Sequence, residues 1–367
     1  MSRIKFLLVL LALTAQVPLA SAAITYAVGS CEPKLRSFTT IMGALGATPA
    51  PNVVEVCPGT YPEQVVISNP VTLKGISASN STTGPTIGEP GELLNANAVD
   101  DFGDELAVQV LVENVIGEVN LTNLTVDGKL TQVAPIFYEV GVFYQNSSGT
   151  VNSLFVANQN SSEFANYGIW LEGGNANPHV TVENSVVTNF YTVGIYAETN
   201  SSTSELTATI KGNNVAFPNV TSGLGIELVS GLTASVSGNV LSGLTGATNN
   251  TGIAVDGGEG TVSNNKLIGL NPGIDVETDG VSVTSNEVTG FFALPFSDTG
   301  IRVNSAIAPV TNNTLTQLSV GIDFNCTAGN NVHSNTIAAA LTGLLAVPTA
   351  AVTKNTIRNV NTIRGGC

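Results

Sequence analysis

A glycine followed by Ile, Val or Leu recurs at Gly141, Gly168, Gly194, Gly225, Gly252, Gly273, Gly300, Gly321 and Gly343, at intervals of 21 to 31 residues. A period of that size calls for stacked repeats, because one short unit cannot bury its own apolar face. Alternation continues after the pair in Gly252-Ile253-Ala254-Val255-Asp256, Gly273-Ile274-Asp275-Val276-Glu277, Gly300-Ile301-Arg302-Val303-Asn304 and Gly321-Ile322-Asp323-Phe324-Asn325. Period-two apolarity marks a strand with one buried face. A second phrase, V/I-x-x-N-x-V/L/I, starts at Ile210 and sets Asn213, Asn239, Asn265, Asn286, Asn313, Asn335 and Asn355 in one column.

Two or three short strands per repeat, with no helix-length periodic segment, predict an all-β, single-stranded, right-handed parallel β-helix of roughly a dozen coils. Adjacent coils would lie about 4.8 Å apart. An Asn repeated at one corner then bonds to the Asn above and below it. A β-propeller needs repeats of about 40 residues or more, so it is excluded. Composition agrees: 43% of the 367 residues are hydrophobic, which argues against disorder. Lys and Arg number 12 against 27 Asp and Glu, so neutralisation of a nucleic-acid backbone is not on offer.

Residues 1–22 read as a secretory signal. Arg3 and Lys5 precede an apolar run, and Ala20-Ser21-Ala22 fits the cleavage pattern. The run is shorter than the ~20 residues that cross a bilayer, so the expectation is a secreted or periplasmic protein with no membrane insertion after signal removal. Cys31, Cys57, Cys326 and Cys367 fit an oxidising compartment. Sequence proximity favours Cys31–Cys57 and Cys326–Cys367 as the pairs. With no C-x-x-C and with His179 and His333 far apart, no cysteine or histidine metal site is expected.

Residues 53–67 carry V-V-E-V-C-P-G-T-Y-P-E-Q-V-V-I, and residues 71–75 carry V-T-L-K-G. The phrase resembles the opening coils of the pectin-lyase-like superfamily, particularly its pectinesterase-like and NosD-like β-helix proteins. That resemblance implies a β-helix over residues 51–367, an N-terminal cap at residues 23–50, and a carbohydrate-active or accessory role. Enzyme signatures of the superfamily are only echoed: Glu277-Thr278-Asp279-Gly280, Ile322-Asp323-Phe324-Asn325 and Asn177-Pro178-His179 each depart from the family pattern. Residues 77–105 interrupt the alternation with Gly-Pro, Pro-Gly and an acidic run. They read as a loop excursion that either walls a groove or stands in solvent.

If the residue after each repeat glycine points inward, those two and four after it point outward. The first outward column includes Phe143, Trp170, Tyr196, Glu227, Ala254, Asp275, Arg302 and Asp323. The second includes Gln145, Glu172, Glu198, Val229, Asp256, Glu277, Asn304 and Asn325. Aromatic rings stack on sugar faces, and clustered carboxylates bond hydroxyls or move protons. Hence Asp256, Asp275, Glu277, Arg302 and Asp323 are the candidate catalytic residues. Trp170, Glu172, Tyr196, Glu198, Glu227, Asn304 and Asn325 are the candidate substrate contacts.

The resulting expectation is a monomer that binds an extended polysaccharide and cleaves it as a glycoside hydrolase or polysaccharide lyase. The alternative is a non-catalytic scaffold, adhesin or accessory protein. Three other uses of these residues stay open: acidic columns that keep a solenoid soluble, carboxylates that hold Ca²⁺, and aromatic residues covered by the 77–105 loop.

Overall fold

The computed structural model describes residues 23–77, 84–90, 94–100, 102–128, 138–159, 165–174, 177–199, 205–217, 222–243, 249–291, 298–304, 307–324, 331–345 and 352–364. The strand patterning produces a parallel β-helix of about a dozen coils. A typical coil holds three strands, as in Val186–Thr188, Val193–Thr199 and Thr207–Lys211. Each pairs in parallel with its counterpart on the next coil. Coil-to-coil crossovers between parallel strands wind right-handed in chains of L-residues. The structure gathers fourteen strands in one sheet and places the other two ladders in a second.

The apolar half of each strand fills a continuous interior. Val182, Ile195, Ile210, Ile226, Val236, Ile253 and Val262 are buried in one cluster that runs along the stack. The asparagine column lies inside this core as a ladder. From Asn239 to Asn355, each Oδ1 accepts both the backbone N–H and the Nδ2 of the preceding ladder Asn, at 2.8–3.0 Å, and the first rung, Asn213, accepts from the Ser185 N–H. The corner bends at the residue before the ladder Asn, where Gly212 and Gly238 have φ of 65° and Asn264, Asn312 and Ser334 also sit at positive φ.

Repeat glycines have a different cause. A Cβ on Gly225 would stand 2.6 Å from the carbonyl oxygen of Gly252, and one on Gly252 would stand 2.3 Å from that of Gly273. Adjacent coils approach too closely here for any side chain.

At the N-terminal end, the helix Ile41–Leu45 lays Ile41 and Ala44 over the first coil. The Thr40 side chain accepts from the Gly43 N–H at 3.0 Å, and the Glu63 carboxylate accepts from the Ile41 and Met42 N–H groups. Strand Thr25–Val28 already pairs in register with Val53–Val56, so the stack begins before residue 51. The expected Cys31–Cys57 disulfide is present. Cys326, Cys367 and the signal segment lie outside the described residues. No described helix is long and apolar enough to cross a membrane.

The excursion is narrower than its composition suggested. Thr86–Gly88 is a coil strand, paired in parallel with Thr60–Pro62 and Thr125–Asp127. Ala98–Val99 then folds back antiparallel on Glu105–Leu106. Gln64 and Asn97 clamp this turn through hydrogen bonds to Asn95 and Val108. It lies against one end of the glycine-isoleucine face.

Candidate functional site

Register decides whether the outward residues meet, and it aligns them. Phe143, Trp170, Tyr196, Glu227, Ala254, Asp275, Arg302 and Asp323 are successive lateral partners on eight coils. Two residues further along, Gln145, Glu172, Glu198 and Val229 are partners in the same way. The ladder then continues beyond the strands. Asp256 N–H bonds Leu228 O, Glu277 N–H bonds Val255 O and Asn304 N–H bonds Val276 O, at 2.8–2.9 Å.

This face divides into a sealed end and an open end. At the sealed end Leu106, Val108, Leu111, Val140, Phe143 and Trp170 form a second apolar cluster outside the coil interior. Trp170 is 3% exposed, with its ring 4.5 Å from that of Tyr167 and 5.1 Å from that of Tyr196. The expectation of Trp170 as an open sugar platform is therefore corrected: its ring packs beside the folded-back turn, and Ala98 of that turn joins the cluster. Glu172 and Glu198 are buried as well, contrary to their reading as exposed contacts. Gln145 donates to Glu172 at 3.1 Å. Trp170 Nε1 and Tyr196 Oη both donate to Glu198, at 3.1 and 2.9 Å. Tyr167 was missed because the alternation runs backward from Trp170 to Gly168 and Asn166 and gives Tyr167 the inward parity of Ile169, whereas its ring packs on Trp170 and Tyr196.

At the open end Glu227, Arg302, Asn304 and Asp323 are half-buried, and Asp256 and Glu277 are exposed. Asp275 is 6% exposed, and Arg302 grips it in a two-pronged pair from Nε, at 2.9 Å, and Nη2. A carboxylate so held is not a free base, which corrects its catalytic reading. Asn304 leans on Glu277 at 3.4 Å. Asn325 lies outside the described residues.

Glu227 sits between these regions. Burial, then the charges of Asp256 and Glu198, push its carboxyl up to about 7. The Asp256 carboxyl is raised too, by partial burial and then by Glu277 and Asp275, with Arg302 opposing. Two carboxyls of unequal environment on one face can supply and accept a proton near neutral pH. Among the described residues no three or more His, Cys, Asp or Glu gather closely enough to hold a metal ion. A separate shallow groove, one corner away, is lined by Glu205, Glu259 and Asp279.

Several solved structures have a similar winding. The enzyme DFA-IIIase from Arthrobacter chlorophenolicus, in complex with GF2, matches at TM-score 0.45 and 12% identity over 86% of each chain. The A-module of the mannuronan C-5 epimerase AlgE4 from Azotobacter vinelandii matches at 0.42 and 13%, over 89% of this chain and 91% of that one. A mutant of the periplasmic alginate epimerase AlgG matches at 0.43 and 12%, over 84% and 72%. No residue role is carried over from these structures. No family model matches the sequence, and no curated protein is similar to it.

Proposed function

We propose that the open end of the glycine-isoleucine face binds a glycan chain and acts on it by acid–base chemistry, outside the cytoplasm. The observation that carries this reading is the protonatable Glu227 set one coil from Asp256, on a face that runs on through Glu277, Asn304 and Asp323. An extended face of stacked coils suits an extended polymer, with Tyr196 and Asn304 at its rim as half-exposed contacts. The Cys31–Cys57 disulfide supports an oxidising location. The chain works as a monomer in this reading.

The test is a polysaccharide panel read for binding, for new reducing ends and for unsaturated products that absorb in the ultraviolet, with wild type, Glu227→Gln and Asp256→Asn. Binding of one glycan class, with turnover lost in both variants, supports the proposal. Binding without turnover in any protein leaves a recognition module. No binding to any glycan removes the proposal in favour of a scaffold, a role to which the burial of Trp170 already lends weight.

A further inference from the structure

We infer that the glycan taken by this face is uncharged and is cleaved by hydrolysis between Glu227 and Asp256, and that polyuronates are excluded. The inference rests on the preceding reading of the face as a glycan site and names its substrate class and reaction.

The first ground is the fate of the cation. Elimination or epimerisation of a uronate removes the proton beside a carboxylate, and the charge that builds there needs a positive partner. Among the described residues of the two outward columns Arg302 is the only cation, and both prongs of its guanidinium are on Asp275. Its other lateral partner is Asp323. The charge of Arg302 is already shared among Asp275, Asp256, Glu277 and Asp323, and Lys211 and Lys266 pair with Glu183 and Glu287 on other ladders. A polyuronate laid on this face would place carboxylates against carboxylates. A chain of hydroxyls has no such conflict, since the acids accept its hydrogen bonds.

The second ground is spacing. Glu227 is level with Ala254, and Asp256 lies two residues beyond Ala254 on the same face. One coil spacing of about 4.8 Å and two rises of about 3.3 Å put their backbone positions about 8 Å apart. Inverting glycosidases hold their carboxyls about 6.5–9.5 Å apart, with room for a water. In the step, Asp256 takes a proton from water while the water oxygen bonds the anomeric carbon. The glycosidic C–O bond breaks with its electron pair on the leaving oxygen, and Glu227 protonates that oxygen. Solvent exchange returns the proton from Asp256 to Glu227.

The experiment uses the full chain with neutral oligosaccharides (cello-, xylo-, manno- and fructo-series), polygalacturonate and alginate, in EDTA and again with Ca²⁺. The expected result is cleavage of one neutral series with an inverted anomer seen by proton NMR. Uronate binding should be at least tenfold weaker under both conditions. Glu227→Gln and Asp256→Asn should each lose about 100-fold or more in kcat while still binding. Preference for a uronate, or an unsaturated product, overturns the inference and leaves the glycan-site reading standing. A protein that binds no glycan overturns both.

Discussion

Replacing Asn265 by Ala tests the ladder where its cost can be worked out bond by bond. Its Oδ1 accepts from the N–H and the Nδ2 of Asn239, each at 3.0 Å, and its Nδ2 donates to Val236 O at 2.9 Å and Asn286 Oδ1 at 3.0 Å. Truncation strands the buried N–H of Asn239, at about 1–3 kcal/mol. It also removes three further bonds worth about 0.5–1.5 kcal/mol each. Asn239 Nδ2 keeps Ile210 O, and Asn286 Oδ1 keeps the backbone N–H of residue 265. The total is about 3–7 kcal/mol, a large share of the ~5–15 kcal/mol that holds a domain folded.

Asn355, at the last described rung, is half-buried and makes one ladder bond fewer, so Asn355→Ala should cost about 1 kcal/mol less than Asn265→Ala. Urea unfolding followed by far-ultraviolet circular dichroism and by the fluorescence of the single Trp would measure both. Coincidence of the two probes would check that the stack unfolds as one unit. If Asn265→Ala falls within ~1 kcal/mol of wild type, the ladder is not a stabilising device and the reasoning fails.

Gly225→Ala should destabilise by about 1–3 kcal/mol, because its Cβ would meet the Gly252 carbonyl at 2.6 Å. A higher calorimetric Tm, the usual gain from reduced chain entropy, would contradict that. With the Glu227 carboxyl at about 7 in the folded chain against its ordinary 4.5, the unfolded state gives up its proton first as pH rises. Glu227 therefore withdraws stability between pH 4.5 and 7, and the penalty is complete above that window. Glu227→Gln should raise the Tm at pH 8 and leave it nearly unchanged at pH 4.5; equal shifts at both would argue against the perturbed carboxyl. Cys31→Ala with Cys57→Ala should cost about 3 kcal/mol, from the loop closed by residues 26 apart in sequence. The loss should appear first in hydrogen exchange of the cap, and a change spread evenly over the stack would contradict a local staple.

The fold was legible because every coil repeats the same physical demand. A glycine is required wherever two backbones nearly touch, and an asparagine wherever a buried corner leaves backbone groups to satisfy. The columns of the face were legible for the same reason, since register follows from those two markers. What the columns do not carry is depth. Trp170 and Asp275 stand in the same outward column, and alternation alone gives both to solvent. One is covered beside a turn that folds back from about seventy residues earlier, and the other by the arginine of the next coil. Glu227 was placed among the contacts because its own segment shows nothing unusual. Its proton affinity comes first from burial that only the assembled face produces, then from Asp256 on the coil after and Glu198 on the coil before.

Backbone NMR titration of the intact chain with the glycan that binds most tightly asks directly whether this face is the site. The account predicts shifts confined to Tyr196, Glu227, Asp256, Glu277 and Asn304, with Glu227→Gln altering the pattern at Asp256. Shifts gathered instead around Glu205, Glu259 and Asp279, with the Glu227 region silent, would contradict it.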